Sequence, residues 1–201
     1  MSKINVDGRS MNSSELTGRR LMLRRTGFAA IPVNGKAPVM NGWQNKLNTT
    51  VEEIEQWERD FPHATNTGML TRNTPTLDID ILNKEAAVAI ENLVGQRFNG
   101  YLLRIGRPPK RAIPFRTETP FSKITANLVA RDGPSGQKLE FLCDGQQVVL
   151  FGTHPDTGKP YRWHGDDEPG WLRRDQLPYI TETEARVGEK VVALRRFRAR
   201  R

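Results

Sequence analysis

The sequence has 201 residues, of which 31 are Lys or Arg and 23 Asp or Glu, giving a formal net charge of +8 and leaving a single cysteine, Cys143. That length is enough to bury a core without cross-links, so one domain of two lobes is expected, and one cysteine excludes both an internal disulfide and a Cys-rich zinc site. No apolar run approaches the roughly 20 residues of a bilayer crossing and Met1 to Met11 is too polar for a signal peptide, so a soluble cytoplasmic protein with no membrane partner is expected.

The charge is unevenly placed. Lys190, Arg195, Arg196, Arg198, Arg200 and Arg201 account for six of the eight net positive charges with no acidic residue among them, which leaves +2 on the rest of the chain. Residues 1–12 read as a flexible N-terminus and 13–185 as the folded domain. Residues 186–201 read as a basic tail, suited either to nucleic acid or to the solvated start of a linker in a longer protein.

In chain order, Ser13 or Ser14 is placed to cap a helix running to about Thr26, with Leu16, Leu21 and Leu23 as its apolar residues and Arg19, Arg20, Arg24 and Arg25 as a solvated basic face. Phe28 to Val33 reads as a short buried strand ending at the Asn34-Gly35 turn. Thr50 with Glu53 forms a capping-box pattern opening a helix to about Phe61, with Ile54 and Trp57 on one face and Trp57 read as core. Asn66 to Thr71 and Thr76 to Ile81 read as neighbouring strands, followed by a helix from Lys84 to about Gln96 carrying Ala87, Ile90 and Leu93. Short β segments come next: Tyr101 to Ile105, Arg111 to Thr117, Ile124 to Arg131, Lys138 to Cys143 and Gln146 to Gly152. Asp144-Gly145 between the last two predicts a two-residue hairpin with positive φ at both central positions.

Thr76-Leu77-Asp78-Ile79-Asp80-Ile81 alternates polar with apolar residues, so Leu77, Ile79 and Ile81 enter the core while Asp78 and Asp80 share the opposite face, about 7 Å apart at Cα. Flexible carboxylates can close that gap onto one or two cations, and a hard ion held by carboxylate oxygens keeps positions open for substrate phosphates. Alone, the pattern equally describes two solvated carboxylates. Lys138 to Cys143 alternates too, with Leu139 and Phe141 facing one way and Glu140 the other. Beside the Asp78 strand Glu140 would supply a third carboxylate; otherwise it would pair with Lys138 or a cross-strand basic residue.

Arg104 to Arg116 is a basic turn stiffened by Pro108 and Pro109 that runs into a strand, with Lys110 and Arg116 expected on one side. Next to a metal site these cations would hold a triphosphate; the bland alternative is an edge strand protected by charge and proline. In the Gly152 to Trp163 loop, His154, Thr153 and Arg162 are candidates for phosphate contact, and Tyr161 and Trp163 suit either base stacking or core closure. No phosphate-binding Gly-rich helix signature, His-rich zinc pattern or Ser-His-Asp order stands out.

The ordered succession of these pieces resembles the bifunctional primase/polymerase domain of the archaeo-eukaryotic primase superfamily, common in phages, plasmids and mobile elements. It runs from Gly27-Phe28-Ala29-Ala30-Ile31-Pro32-Val33 through Lys36-Ala37-Pro38, Gly42-Trp43, the Trp57 helix and Asn66-Thr67-Gly68 to Leu77-Asp78-Ile79-Asp80. It continues through Pro108-Pro109-Lys110-Arg111 to Arg116, Leu139-Glu140-Phe141 with Asp144-Gly145-Gln146-Gln147, and the Gly152 to Trp163 loop. The resemblance implies an α+β catalytic core, a small N-terminal α/β unit and an antiparallel RNA-recognition-like unit flanking a cleft. It implies Mg²⁺ or Mn²⁺ held by Asp78, Asp80 and Glu140. Relatives often have Asp at the third position, and their central motif commonly carries a nucleotide-contacting His where this sequence has Lys110 and Arg111. Lys110, Arg111, Arg116 and His154 are therefore the expected nucleotide-binding set, with Lys36 either a template or nucleotide contact or a surface turn. The implied partners are a single-stranded DNA template, NTP or dNTP, and a fused or separate helicase. The implied activity is a DNA primase, DNA polymerase or both. A non-catalytic DNA-binding or helicase-recruiting module, or a metal-dependent nuclease, would use the same features.

Overall fold

Asn12, one residue before the expected serines, starts the first helix of the computed structural model, which describes residues 11–98, 100–127 and 137–186. The Asn12 side chain accepts from the Glu15 amide at 2.9 Å and the Glu15 carboxylate accepts from the Asn12 amide at 2.8 Å, closing a capping box on α1 (Ser13–Arg25). Amide geometry suits this position as well as a hydroxyl does, and the Glu three residues on selects Asn12. Arg24 and Arg25 are exposed as expected, but Arg20 is only 2 % exposed and donates from Nη2 to the Asn66 carbonyl at 3.1 Å.

The chain continues through β1 (Ala30–Asn34), β2 (Ala37–Pro38), α2 (Val51–Asp60), β3 (Asn66–Leu70), β4 (Thr76–Asp80) and α3 (Lys84–Arg97). It then forms β5 (Leu103–Ile105), β6 (Arg111–Pro114), β7 (Ile124–Asn127), β8 (Lys138–Leu142), β9 (Gln147–Phe151) and β10 (Arg162–His164). The Thr50–Glu53 capping box of α2 forms as expected, and Ile54 and Trp57 are its buried residues. The expected continuation of β7 beyond Asn127, the flexible start before Met11 and the basic tail after Arg186 lie outside the described residues.

Two antiparallel sheets result, making the fold α+β. The first has strand order β2-β1-β3-β9 and the second β10-β5-β6-β4-β8-β7. Helix α1 packs on the first sheet, where Leu23 joins Phe28, Ala30, Met69, Leu150 and Phe151 in one cluster. Helix α3 covers one face of the second sheet, with Ala87, Ile90 and Val94 against Leu77, Ile79, Ile113, Leu139 and Phe141.

Two expectations fail at the passages between sheets. Strands β3 and β4 follow one another in sequence but belong to different sheets, and so do β8 and β9. Both hydrogen-bonding edges of β8 are taken, by β4 and by β7, so no edge remains for a hairpin with β9. The Cys143–Gln146 turn, closed by Gln146 N to Cys143 O at 3.2 Å, has positive φ only at Gly145 (70°). The passages are tied together: Thr71 Oγ1 donates to Cys143 O at 2.6 Å, and Arg72 pairs with Asp144 at 2.6 Å.

Candidate active site

Strand β4 carries its carboxylates as the alternation requires. Leu77 and Ile79 are buried under α3 while Asp78 and Asp80 are partly buried on the other face. In the β4–β8 register Asp78 lies directly opposite Glu140 and Asp80 opposite Lys138; on the other side Asp78 faces Ala112 of β6. Directly opposed residues share a sheet face. One row therefore runs across five strands: Arg104, Ala112, Asp78, Glu140, Thr125.

The carboxylates have different surroundings. Burial pushes the Asp78 pKa up, the Arg104 charge opposes this, and the charges of Asp80 and Glu140 add to it. Among the described residues no hydrogen-bond donor reaches the Asp78 carboxylate. Asp80 is ion-paired with Lys110. Glu140 is 5 % exposed and accepts from Lys138 at 2.7 Å, Thr125 at 3.1 Å and Lys123 at 3.2 Å. Burial acts to raise its pKa, but the Lys138 and Lys123 hydrogen bonds, with the Lys138 charge and the Thr125 hydroxyl, prevail and hold it below the usual range.

Above Asp78 and Asp80 a cleft of about 180 Å³ opens between the sheets. Lys36 and β9 wall it from the first sheet, Arg104, Arg107 and Lys110 from the second, and His154 with Tyr161 from the loop after β9. Arg104 donates to the Val149 carbonyl, and its guanidinium lies 5.0 Å from the Tyr161 ring centroid. Its Nε is buried with no hydrogen-bond partner among the described residues. Burial lowers the Arg104 pKa, and the Asp78 charge counters it. The small side chain of Ala112 between them in the row leaves these two charges open to each other. Burial also pushes the Tyr161 hydroxyl up to about 12. His154, 5 % exposed, accepts at Nδ1 from the Asp156 amide at 3.2 Å; burial and the charges of Lys36, Arg104 and Arg107 push its pKa below the usual imidazole value against the pull of Asp156. Asp156 in turn approaches Arg107 at 3.4 Å and Lys36 at 3.8 Å, across the cleft mouth. A glycine is required at 106, where a Cβ would sit 2.5 Å from the Tyr161 ring and 2.9 Å from that of His154.

A sequence model for the bifunctional DNA primase/polymerase N-terminal domain, Prim-Pol, matches residues 20–178, well over half of the chain. The chain belongs to the Prim-Pol family. No curated protein matches it. Prim-Pol domains are nucleotidyltransferases of DNA primases and polymerases, acting on DNA and nucleotides and typically metal-dependent. In this Prim-Pol domain no described helix is long and apolar enough to cross a membrane.

Of the residues expected to form the site, the Prim-Pol cleft brings together Asp78, Asp80, Lys110 and His154, with Lys36 beside them. Glu140 is on the Asp78 face of the sheet, but its carboxylate is turned into the lysine pair and does not line the cleft. Accordingly, among the described residues no three His, Cys, Asp or Glu side chains stand grouped around a metal position. The chemistry at Asp78 still suits a hard cation: a carboxylate with no hydrogen-bond donor among the described residues, crowded by two acidic neighbours against the charges of Arg104 and Lys138, has oxygen lone pairs open to a metal. Arg111 reaches the cleft edge, but its guanidinium is ion-paired with Glu91 of α3, on the Ile79 side of the sheet. Arg116 is a correction. Strand β6 ends at Pro114, the alternation with Lys110 is lost, and Arg116 instead donates to Leu177 O at 3.0 Å and lies 5.1 Å over the Tyr179 ring, away from the cleft. The aromatic pair divides: Tyr161 lines the cleft, whereas Trp163 packs on the core beside Phe151. Sequence reasoning did not single out Arg104, because its approach to Asp78 depends on the order β5-β6-β4, which no local pattern encodes.

Proposed function

We propose that residues 13–185 form a catalytic unit for template-directed nucleotidyl transfer, a DNA primase, DNA polymerase or both, using a single-stranded DNA template and NTP or dNTP. The observation that carries this is the meeting, in one cleft, of the Asp78–Asp80 pair with Lys36, Arg104, Arg107 and Lys110. Asp78 and Asp80 would hold Mg²⁺ or Mn²⁺, with Glu140 joining them once its lysines are released. When bound, such ions lower the pKa of an attacking 3′-hydroxyl and offset charge on the leaving pyrophosphate. The chain's own part is to bind and orient. Lys110, released from Asp80, is a point charge for a phosphate oxygen, and Arg104 offers its unpartnered Nε. Neutral His154, with Nδ1 occupied by the Asp156 amide, presents Nε2–H as a donor. The resemblance sets this activity in the cytoplasmic replication of phage, plasmid or mobile-element DNA, beside a fused or separate helicase.

The deciding experiment is labelled-nucleotide incorporation on single-stranded DNA, primed and unprimed, with each nucleotide type and each ion. Wild type is expected to incorporate, and Asp78→Ala and Asp80→Ala to lose incorporation while still melting cooperatively. Unchanged incorporation by both variants refutes the assignment.

One observation favours a second reading, a non-catalytic DNA-binding or helicase-recruiting module. Lys110 already neutralises Asp80, and Lys123 and Lys138 neutralise Glu140. Salt-sensitive DNA binding without incorporation at either ion is its signature.

A further inference from the structure

Two walls of the cleft hang from one side chain. Asn66 is 0 % exposed at the start of β3, and its amide donates from Nδ2 to Gly35 O at 2.6 Å and to Thr153 O at 2.9 Å, while Oδ1 accepts from Thr153 N at 2.7 Å. Each tied residue immediately precedes a cleft residue: Gly35 precedes Lys36, and Thr153 precedes His154. The contact is tight enough to require glycine at 152, which has φ 111° and where a Cβ would fall 1.9 Å from Asn66 Oδ1. The Asn66 carbonyl is itself held by the buried Arg20, so the clamp is anchored to α1 rather than to a mobile surface. No carboxylate does this job. An Asp would keep the acceptor for Thr153 N but face the Gly35 and Thr153 carbonyls with oxygen in place of two donors.

We infer that Asn66 is a positioning residue for nucleotide binding, fixing Lys36 and His154 together on the wall opposite Asp78 and Asp80 so that both meet the same triphosphate. This rests on the primase/polymerase reading of the cleft. Asn66 touches no substrate. It sets the spacing between two groups that do, and a misplacement on the order of 1 Å is enough to lose such contacts.

The test compares wild type, Asn66→Asp, Lys36→Ala and the double variant in steady-state incorporation, with thermal unfolding to establish that each is folded. Asn66→Asp is expected to raise the KM of the incoming nucleotide about tenfold with kcat within about threefold, the pattern of lost binding rather than lost chemistry. Added to Lys36→Ala, it should raise KM by clearly less than the product of the two effects, since part of what it disturbs is already gone. An unchanged KM in folded Asn66→Asp, or effects that multiply fully, overturns the inference. If Asn66→Asp does not fold, hydrogen exchange of the wild type decides. Nucleoside triphosphate with Mg²⁺ should protect residues 34–37 and 152–156 in parallel, and protection of one segment alone overturns it. Should wild type incorporate nothing, the polymerase reading fails by itself; calorimetric binding of the triphosphate then makes the same comparison, and no binding by wild type overturns both.

Discussion

Asp78 and Glu140 face each other directly across β4 and β8, yet among the described residues one carboxylate has no donor and a raised pKa while the other has three donors and a lowered one. The difference follows from position in the row. Glu140 is bracketed by Thr125 and by the lysines at 123 and 138, whereas beside Asp78 stands Ala112, which offers only a methyl group.

The first prediction concerns the stability cost of Asp78. Its folded pKa is raised above the unfolded value, so the native state binds more protons in the window between the two, and stability falls as pH rises through it. Above that window Asp78 destabilises the metal-free protein. Asp78→Asn removes the charge and keeps the shape. At neutral pH in EDTA it should melt about 2–4 °C higher than wild type, the shift of ~1 kcal/mol in a domain of this size, while losing metal-dependent incorporation. Millimolar Mg²⁺ should raise the wild-type melting temperature and leave the variant unmoved. A variant that melts lower than wild type in EDTA would show that Asp78 carries no such strain.

Glu140 makes the opposite case. Its folded pKa is depressed, so its contribution to stability is present above the unfolded carboxylate value and is lost as pH falls through the folded one. Glu140→Gln should cost about 1–2 kcal/mol at pH 7, discounted from a fully buried pair because Lys138 and Lys123 are 36 % and 41 % exposed. The gap from wild type should begin to narrow as pH falls below the unfolded carboxylate value of about 4.3, where the unfolded chain takes up the proton first, and continue to close toward the lower folded value. Denaturant titrations at pH 7 and pH 3 measure it. A gap independent of pH contradicts the ion-pair account.

How much of this was legible beforehand depends on whether the signal was local. The period-2 alternation of β4 and β8 placed Asp78, Asp80 and Glu140 on the sheet face away from α3, and the Thr50–Glu53 box opened α2, because each is written within a few residues. Strand neighbours are not local. Asp144-Gly145 reads as a hairpin until both edges of β8 are occupied by β4 and β7, and Arg20 reads as solvated until the Asn66 carbonyl is brought over it. The pairing of Glu140 with Lys138 was one of two readings of that strand, and the register admits both at once: Glu140 lies beside Asp78 and still turns to its lysines. Strand β6 stops at Pro114, and beyond it Arg116 no longer follows the alternation that would return it to the cleft Lys110 enters.

Lys138 offers a way to ask whether Glu140 takes part in metal binding. Its ammonium sits 2.7 Å from Glu140 and carries a pKa raised chiefly by that hydrogen bond, so a cation competing for the carboxylate must first displace it. Lys138→Ala should lower the Mg²⁺ or Mn²⁺ concentration for half-maximal incorporation by about threefold to tenfold, one charge-assisted hydrogen bond being worth on the order of 1 kcal/mol at a part-exposed site. An unchanged metal requirement would assign the metal to Asp78 and Asp80 alone and leave Glu140 as the anchor of two lysines.

Gly106 tests the shape of the cleft apart from its charge. The first methyl group placed there meets the Tyr161 ring at 2.5 Å and the His154 ring at 2.9 Å, neither the end of a flexible chain, and Tyr161 is pinned beneath the Arg104 guanidinium. Gly106→Ala must therefore push both rings, at a cost of about 1–3 kcal/mol from overpacking. His154 and Tyr161 line the cleft, so if the nucleotide binds there as proposed, nucleotide KM should rise as well, whereas binding of single-stranded DNA without nucleotide should be unaffected. Melting temperature, KM and a DNA-binding isotherm on the same preparation separate these effects. A variant as stable as wild type, with the same KM, would mean that the two rings move freely and do not shape the nucleotide site.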